Sequence, residues 1–304
     1  MKKTLLQEAS MKEKTLFKYL FWAFALSWAL QIPASLLARQ GHALAFQGLT
    51  ALTMFAPFAT LLLARVPLGS LGWRLNLRRN ILRYLAAWLA PLVLTVLGAA
   101  LYFLLFPARF DGSGASLLSA LPENSWRELE KLGISPTSLI GVQFVAAISY
   151  APLLNTFLAL GEETGWRGFL YPRLKERFGV ARGRLLGGAI WGVWHWPLMI
   201  LAGYEYGLAY WGAPLLGPPL FCIFTISCGV LLDWLYEKTG SVWAPSLAHG
   251  AVNAAAGLPM LFLVPAYADR LTLGPAPIGV IGGAPLLLLA ALVLFKGRGE
   301  QRAE

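Results

Sequence analysis

Apolar residues gather along the chain into eight blocks, at 16–38, 43–64, 85–106, 138–160, 185–202, 213–235, 241–264 and 276–295, with short polar connections between them. An α-helix rises about 1.5 Å per residue, so about 20 residues cross a hydrocarbon core of about 30 Å. None of the blocks alternates apolar and polar residues at period two, the pattern of barrel strands. In lipid every backbone N–H and C=O must find its partner within the segment, so the blocks are expected to be helices. The pattern therefore predicts an all-α polytopic membrane protein of about eight transmembrane helices. No linker, repeat or low-complexity stretch divides it, and residues 1–304 read as a single integral membrane domain.

Composition agrees. The chain has 304 residues, 57% hydrophobic and 13% charged, where soluble domains carry about a quarter of charged residues. A net charge of +10 would suit a nucleic-acid binder if it were gathered on one face, but it is distributed by connection. Lys2, Lys3, Lys12, Lys14 and Lys18 precede the first block, and Arg65, Arg74, Arg78, Arg79 and Arg83 lie between the second and third. Arg167 to Arg184 hold six basic residues after the fourth, Lys238 follows the sixth, and Lys296, Arg298 and Arg302 follow the eighth. The alternate connections are poor in Lys and Arg. This alternation predicts both termini on the cytoplasmic side of a cell membrane. The basic excess then marks orientation and contact with anionic lipid, and no nucleic-acid partner is expected.

Smaller features change little. The apolar run from Leu16 is longer than a signal-peptide core and follows lysines, so cleavage is not expected. Cys222 and Cys228 fall on different faces of one helix, about 9 Å apart along its axis, and predict no disulfide. His42 falls in a short outer turn. Residues 124–133 have the pattern of a short interfacial amphipathic helix, and the basic stretches 65–84 and 171–184 read as surface anchors.

Polar groups inside the blocks are few, and each is a functional candidate by default. Glu163 and Arg167 are four apart with the acid first, the favourable order for an ion pair on a helix. Glu162 is rotated about 100° away, which leaves it free to face a cavity. His195 lies in the fifth block among Trp191, Trp194 and Trp196, and His249 and Asn253 share one face of the seventh among small residues. Taken singly, these read equally well as an interfacial cap, a satisfied buried histidine and a polar helix contact. Taken together they supply a base for water, donors for an oxyanion and a dry chamber, the content of a hydrolytic site. One tension remains: on a helix starting at Leu139, Glu162 would lie about 35 Å along, well past the histidines.

These residues resemble the CPBP (Abi) family, the type II CAAX prenyl proteases and their bacterial relatives. The family pattern of EExxxR, an aromatic residue four before His, and HxxxN reads here as Glu162-Glu163-xxx-Arg167, Trp191-xxx-His195 and His249-xxx-Asn253, with Trp191 where Phe is more usual. The resemblance covers about 138–264. It implies an intramembrane endopeptidase with a chamber open towards the cytoplasm, acting on a membrane-associated protein or peptide. Prenylated CAAX termini are the substrates of eukaryotic and archaeal members, whereas bacterial members are linked to peptide processing or bacteriocin immunity. By resemblance, Glu162 is the base that activates water, His195 assists it, His249 and Asn253 hold the oxyanion, and Glu163 with Arg167 supports them. Zinc is the alternative, since two histidines and carboxylates suit it. HExxH is absent and Asn253 is a better oxyanion donor than a zinc ligand, so no cofactor is expected. An ion-coupled transporter and a catalytically inactive membrane scaffold are the rival readings. The first lacks an inverted repeat, and all six motif positions speak against the second.

Overall fold

The computed structural model describes residues 2–300, with side chains for 13–296. The side chains of Lys2, Lys3, Lys12, Arg298 and Arg302 therefore lie outside the described residues. Among the described residues there are helices and turns, with one isolated β-bridge between Phe110 and Leu263. The first half comprises α1 (Lys2–Arg39), α2 (Ala43–Thr53), α3 (Ala56–Leu63), α4 (Leu77–Leu105), α5 (Ala115–Ala120), α6 (Glu123–Lys131) and α7 (Pro136–Ile148). The second comprises α8 (Ala151–Gly165), α9 (Tyr171–Phe178), α10 (Val180–Trp194), α11 (Trp196–Ala202), α12 (Gly217–Thr239), α13 (Trp243–Ala255) and α14 (Ala284–Glu300).

Among the described residues, four stretches are long and apolar enough to cross a membrane: Glu13–Arg39, Leu77–Leu105, Val180–Ala202 and Gly217–Thr239. Counting the bent pairs α2–α3 (43°) and α6–α7 (94°) gives up to six. The count of eight expected from the sequence is not reached by this measure, because several apolar blocks are interrupted. The block 241–264 ends as helix at Ala255 and continues as a 3₁₀ turn, Leu258–Phe262, carrying Pro259. The block 276–295 becomes helical only at Ala284. Its preceding turns press on α4, where a Cβ on Gly98 would overlap the Gly282 carbonyl.

The fourth block departs most from the expectation, and the departure positions the site. Ser149 leaves helical geometry (φ −99°, ψ −89°), and Pro152 stands in the first turn of the next helix, where a missing N–H has no consequence. Helix α8 then runs without interruption through a π turn, Trp166–Leu170, into α9. Pro172 accounts for that turn, since its ring and missing N–H do not fit an ordinary i−4 bond. The continuous helix thus begins at Ala151, which places Glu162 about 17 Å along it rather than about 35 Å. The mismatch of depths disappears.

Helix α13 lies along α8, and α10 along α12. Glycines permit both approaches: a Cβ on Gly250 would stand 2.6 Å from the Pro152 carbonyl oxygen, and one on Gly192 2.6 Å from Cys222 Sγ. Small residues at the contact are the means by which apolar helices associate in lipid. The core is aromatic, with Tyr19, Trp166, Phe169 and Tyr171 fully buried, while Leu82, Leu104 and Leu288 point outward. Cys222 and Cys228 are free, as expected. Residues 123–131 form the expected amphipathic helix, and His42 is exposed beside α2.

The two basic stretches do more than anchor. Lys175 and Arg184 both pair with Asp233 (2.8 and 2.7 Å) and with Glu237 (2.6 Å each), which joins α9 and α10 to the end of α12. In 65–84, the Tyr84 hydroxyl donates to the Leu75 carbonyl (2.6 Å), and Leu71 is buried.

Candidate functional site

The described residues bring the candidates together through α8, the α10–α11 break and α13. Glu163 is fully buried, and its Oε1 accepts from Arg167 Nη1 at 2.7 Å, the pair that the i, i+4 spacing predicts. The same oxygen lies 2.8 Å from His249 Nδ1. Arg167, also fully buried, lies between the rings of Tyr171 (4.7 Å) and Trp191 (4.6 Å), a cation–π arrangement that steadies its planar group. Among the described residues, Glu163 Oε2 and Arg167 Nε and Nη2 have no hydrogen-bond partner.

Glu162 is held differently. Its Oε2 accepts from the indole N–H groups of Trp191 (2.7 Å) and Trp166 (3.2 Å). The two neighbouring carboxylates thus separate by partner: Glu163 has cationic Arg167 and the His249 ring, Glu162 has two neutral donors.

His195 sits at the joint between α10 and α11. Pro197 cannot donate to the carbonyl four residues back, so the helix tightens there. The His195 amide bonds to the Gly192 carbonyl at 3.0 Å, which frees the Trp191 carbonyl for His195 Nδ1 at 2.8 Å. A carbonyl only accepts, so Nδ1 carries the hydrogen and Nε2 of the neutral ring has a lone pair. The ring meets Trp194 and Phe221 edge-on and lies parallel to Tyr204, 6.3 Å away and 3° from coplanar in orientation.

A cavity of about 50 Å³ is lined by Trp191, His195, Tyr204, Glu205, His249 and Asn253, among others. Asn253 is exposed at its rim. Glu162 lies behind this wall, bonded to Trp191. In the structure, Tyr204, Glu205 and Ile278 line the cavity from connections at the helix ends away from the Lys175–Asp233 network. Tyr204, on the connection after α11, is thereby held parallel to the His195 ring at 6.3 Å. Among the described residues no group of three or more His, Cys, Asp or Glu is placed to hold a metal ion. Each of the two histidines uses Nδ1, one on a carbonyl and one on Glu163, which leaves both Nε2 atoms for other work.

Several participants were not singled out from the sequence. Trp166 follows Glu162 by four residues, a spacing that placed it on the same helix face and was available to inspection. Ser27 and Trp28 of α1 fix Trp194, the first accepting from its Nε1 (2.6 Å) and the second donating to its carbonyl (3.2 Å). No local pattern announces these, since the partners are 166 and 167 positions apart. The site therefore reaches outside 138–264.

Gly250 offers a direct test of the α8–α13 contact. Gly250→Ala places a methyl 2.6 Å from Pro152 O and 2.7 Å from Thr156 N, both backbone atoms. Helix α13 must move, which draws His249 from Glu163. Overpacking of this kind costs about 1–3 kcal/mol, and a lowered midpoint of thermal unfolding in detergent, with loss of any activity, is the expected outcome.

Residues 142–255 match the family model described as Type II CAAX prenyl endopeptidase Rce1-like. This stretch contains all six motif residues. The chain is also similar to CAAX prenyl protease 2 of Methanococcus maripaludis, with 25% identity over 118 residues. That match takes in 36% of this chain and 41% of the relative's length.

Proposed function

We infer, from the match of residues 142–255 to the type II CAAX prenyl endopeptidase family model, that the chain cleaves peptide bonds within the membrane. The single observation that carries the chemistry is the contact of His249 Nδ1 with Glu163 Oε1. A carboxylate only accepts, so Nδ1 donates and Nε2 is turned to other work. With Nε2 protonated as well, the ring is an imidazolium beside a carboxylate, and it offers a cationic donor to a developing oxyanion. Asn253, four residues on along α13, supplies an amide donor beside it.

Glu162 is the base in this reading. It takes a proton from water as the water oxygen bonds to the scissile carbonyl carbon, and it returns the proton to the leaving nitrogen as the C–N bond breaks. Two indole N–H groups hold it in place without neutralising it. His195 Nε2, with its lone pair, helps orient the water. Arg167 offsets the charge of Glu163, so the site is not burdened with two uncompensated carboxylates. No metal is needed in this scheme. The substrate is a membrane-associated protein or peptide, with a prenylated CAAX terminus as the first candidate. The basic connections support a reading in which both termini lie on the cytoplasmic side.

The test is cleavage by purified protein in liposomes of two reporters, a farnesylated CAAX peptide and an unprenylated apolar peptide, with and without 1,10-phenanthroline. The expected result is cleavage of at least one reporter at a rate unchanged by the chelator. Loss with chelator would move the assignment to a zinc enzyme, and intact reporters throughout would overturn the protease reading for both substrate classes.

A further inference from the structure

The cavity has one wall residue that the mechanism leaves unused. Among the residues that line it, Glu205 is the one Asp, Glu, Lys or Arg side chain; the rest are aromatic, aliphatic or neutral polar apart from the two histidines. It sits in the sequence Gly203-Tyr204-Glu205-Tyr206-Gly207, between α11 and α12. Gly203 and Gly207 have φ of +70° and +78°, and Glu205 has +72°. Left-handed backbone suits glycine and is unfavourable by about 1–2 kcal/mol for other residues. A side chain kept in such a conformation at a cavity wall is a reason to look for a task.

The loop holds that side chain firmly. The Gly207 amide bonds to the Gly203 carbonyl (2.7 Å), and the Tyr206 hydroxyl donates to the Ile278 carbonyl (2.7 Å). Tyr204, next in the chain, lies parallel to His195, so the turn that displays Glu205 is built on the catalytic wall. Burial pushes the Glu205 carboxyl up to about 7, with a hydrogen bond from Tyr204 acting the other way. A cation brought beside a carboxylate in such surroundings favours its charged form.

We propose that Glu205 selects substrates that carry a Lys or Arg side chain next to the scissile bond, pairing with that cation at the cavity wall. This rests on the protease reading. Charged residues at such a wall discriminate as much by disfavouring the wrong charge as by binding the right one, so an acidic residue at the same place is disfavoured.

The test uses three fluorescent peptides of one apolar sequence with Lys, Gln or Glu beside the cleaved bond, as located by mass spectrometry. Each is assayed for kcat/KM with wild type, Glu205→Gln and Glu205→Lys, and for equilibrium binding to the same three proteins in a Glu162→Gln background. Wild type is expected to favour Lys over Gln by about tenfold, with Glu below both. Glu205→Gln should bring the three together, and Glu205→Lys should reverse their order. Glu205→Gly, which suits the left-handed backbone, should behave as Glu205→Gln and guards against a folding artefact. Charge-dependent binding without cleavage by wild type would sustain the selection and sink the protease reading. Equal cleavage and equal binding of all three by wild type, or an equal loss on all three in Glu205→Gln, would overturn the selection.

Discussion

Glu162→Gln is expected to lower kcat by about 10²–10⁴ and to leave KM within about twofold, the signature of a lost general base. The change is isosteric. The glutamine amide oxygen still accepts from Trp191 and Trp166, whose N–H groups reach Glu162 Oε2 at 2.7 and 3.2 Å, so the helix packing has no cause to change. What disappears is the ability to take a proton from water. Single-turnover cleavage in liposomes measures the chemical step apart from substrate exchange, and unfolding midpoints should agree between the two proteins. Full activity in Glu162→Gln would transfer the role of base to His249, whose Nε2 would then work unprotonated with Glu163 as its orienting carboxylate.

The largest effect on stability is expected at Arg167. Removing it by Arg167→Leu leaves Glu163, with no exposed surface, charged beside one histidine and deprived of its 2.7 Å partner. Breaking a buried pair from one side costs about 3–5 kcal/mol, whereas replacing both members by apolar residues of similar volume is often neutral. Arg167→Leu alone should therefore unfold at clearly lower temperature in detergent, and the double variant Glu163→Leu, Arg167→Leu should recover much of the loss. Activity should not recover, because His249 Nδ1 has then lost the oxygen that orients it. A double variant that regained cleavage would show that Glu163 acts on stability alone.

Much of this site is legible from spacing. Glu163 and Arg167, four apart, meet as the helix period requires, and His249 and Asn253 share a wall for the same reason. Depth along a helix was harder to read. Hydropathy runs unbroken through Ser149 and Tyr150, so the block 138–160 looks like one helix, whereas the backbone turns there and starts again at Ala151. Pro152 carried that signal, since proline in a first turn marks a beginning. Pro197 likewise marked the joint at His195. The Trp191 donor to Glu162 and the anchors on Trp194 depend on which helices become neighbours, and α1 lies far from them in sequence. Glu205 falls in a connection, and only the fold returns that connection to the cavity.

The buried cluster on α8 also bears on how the chain enters the membrane during synthesis. A charged residue at the centre of an isolated helix raises its insertion free energy by roughly 2.5–3.5 kcal/mol, and this helix carries Glu162, Glu163 and Arg167 within six positions. The ion pair is internal to the segment and forms as soon as the helix does, but Trp191 and His249 emerge from the ribosome 29 and 86 residues after their carboxylate partners. Helix α8 must then wait at the translocon or beside earlier helices until α10 and α13 arrive. The three charges of this cluster thus make its biogenesis a collective event, complete for α8 only once α10 and α13 have joined it.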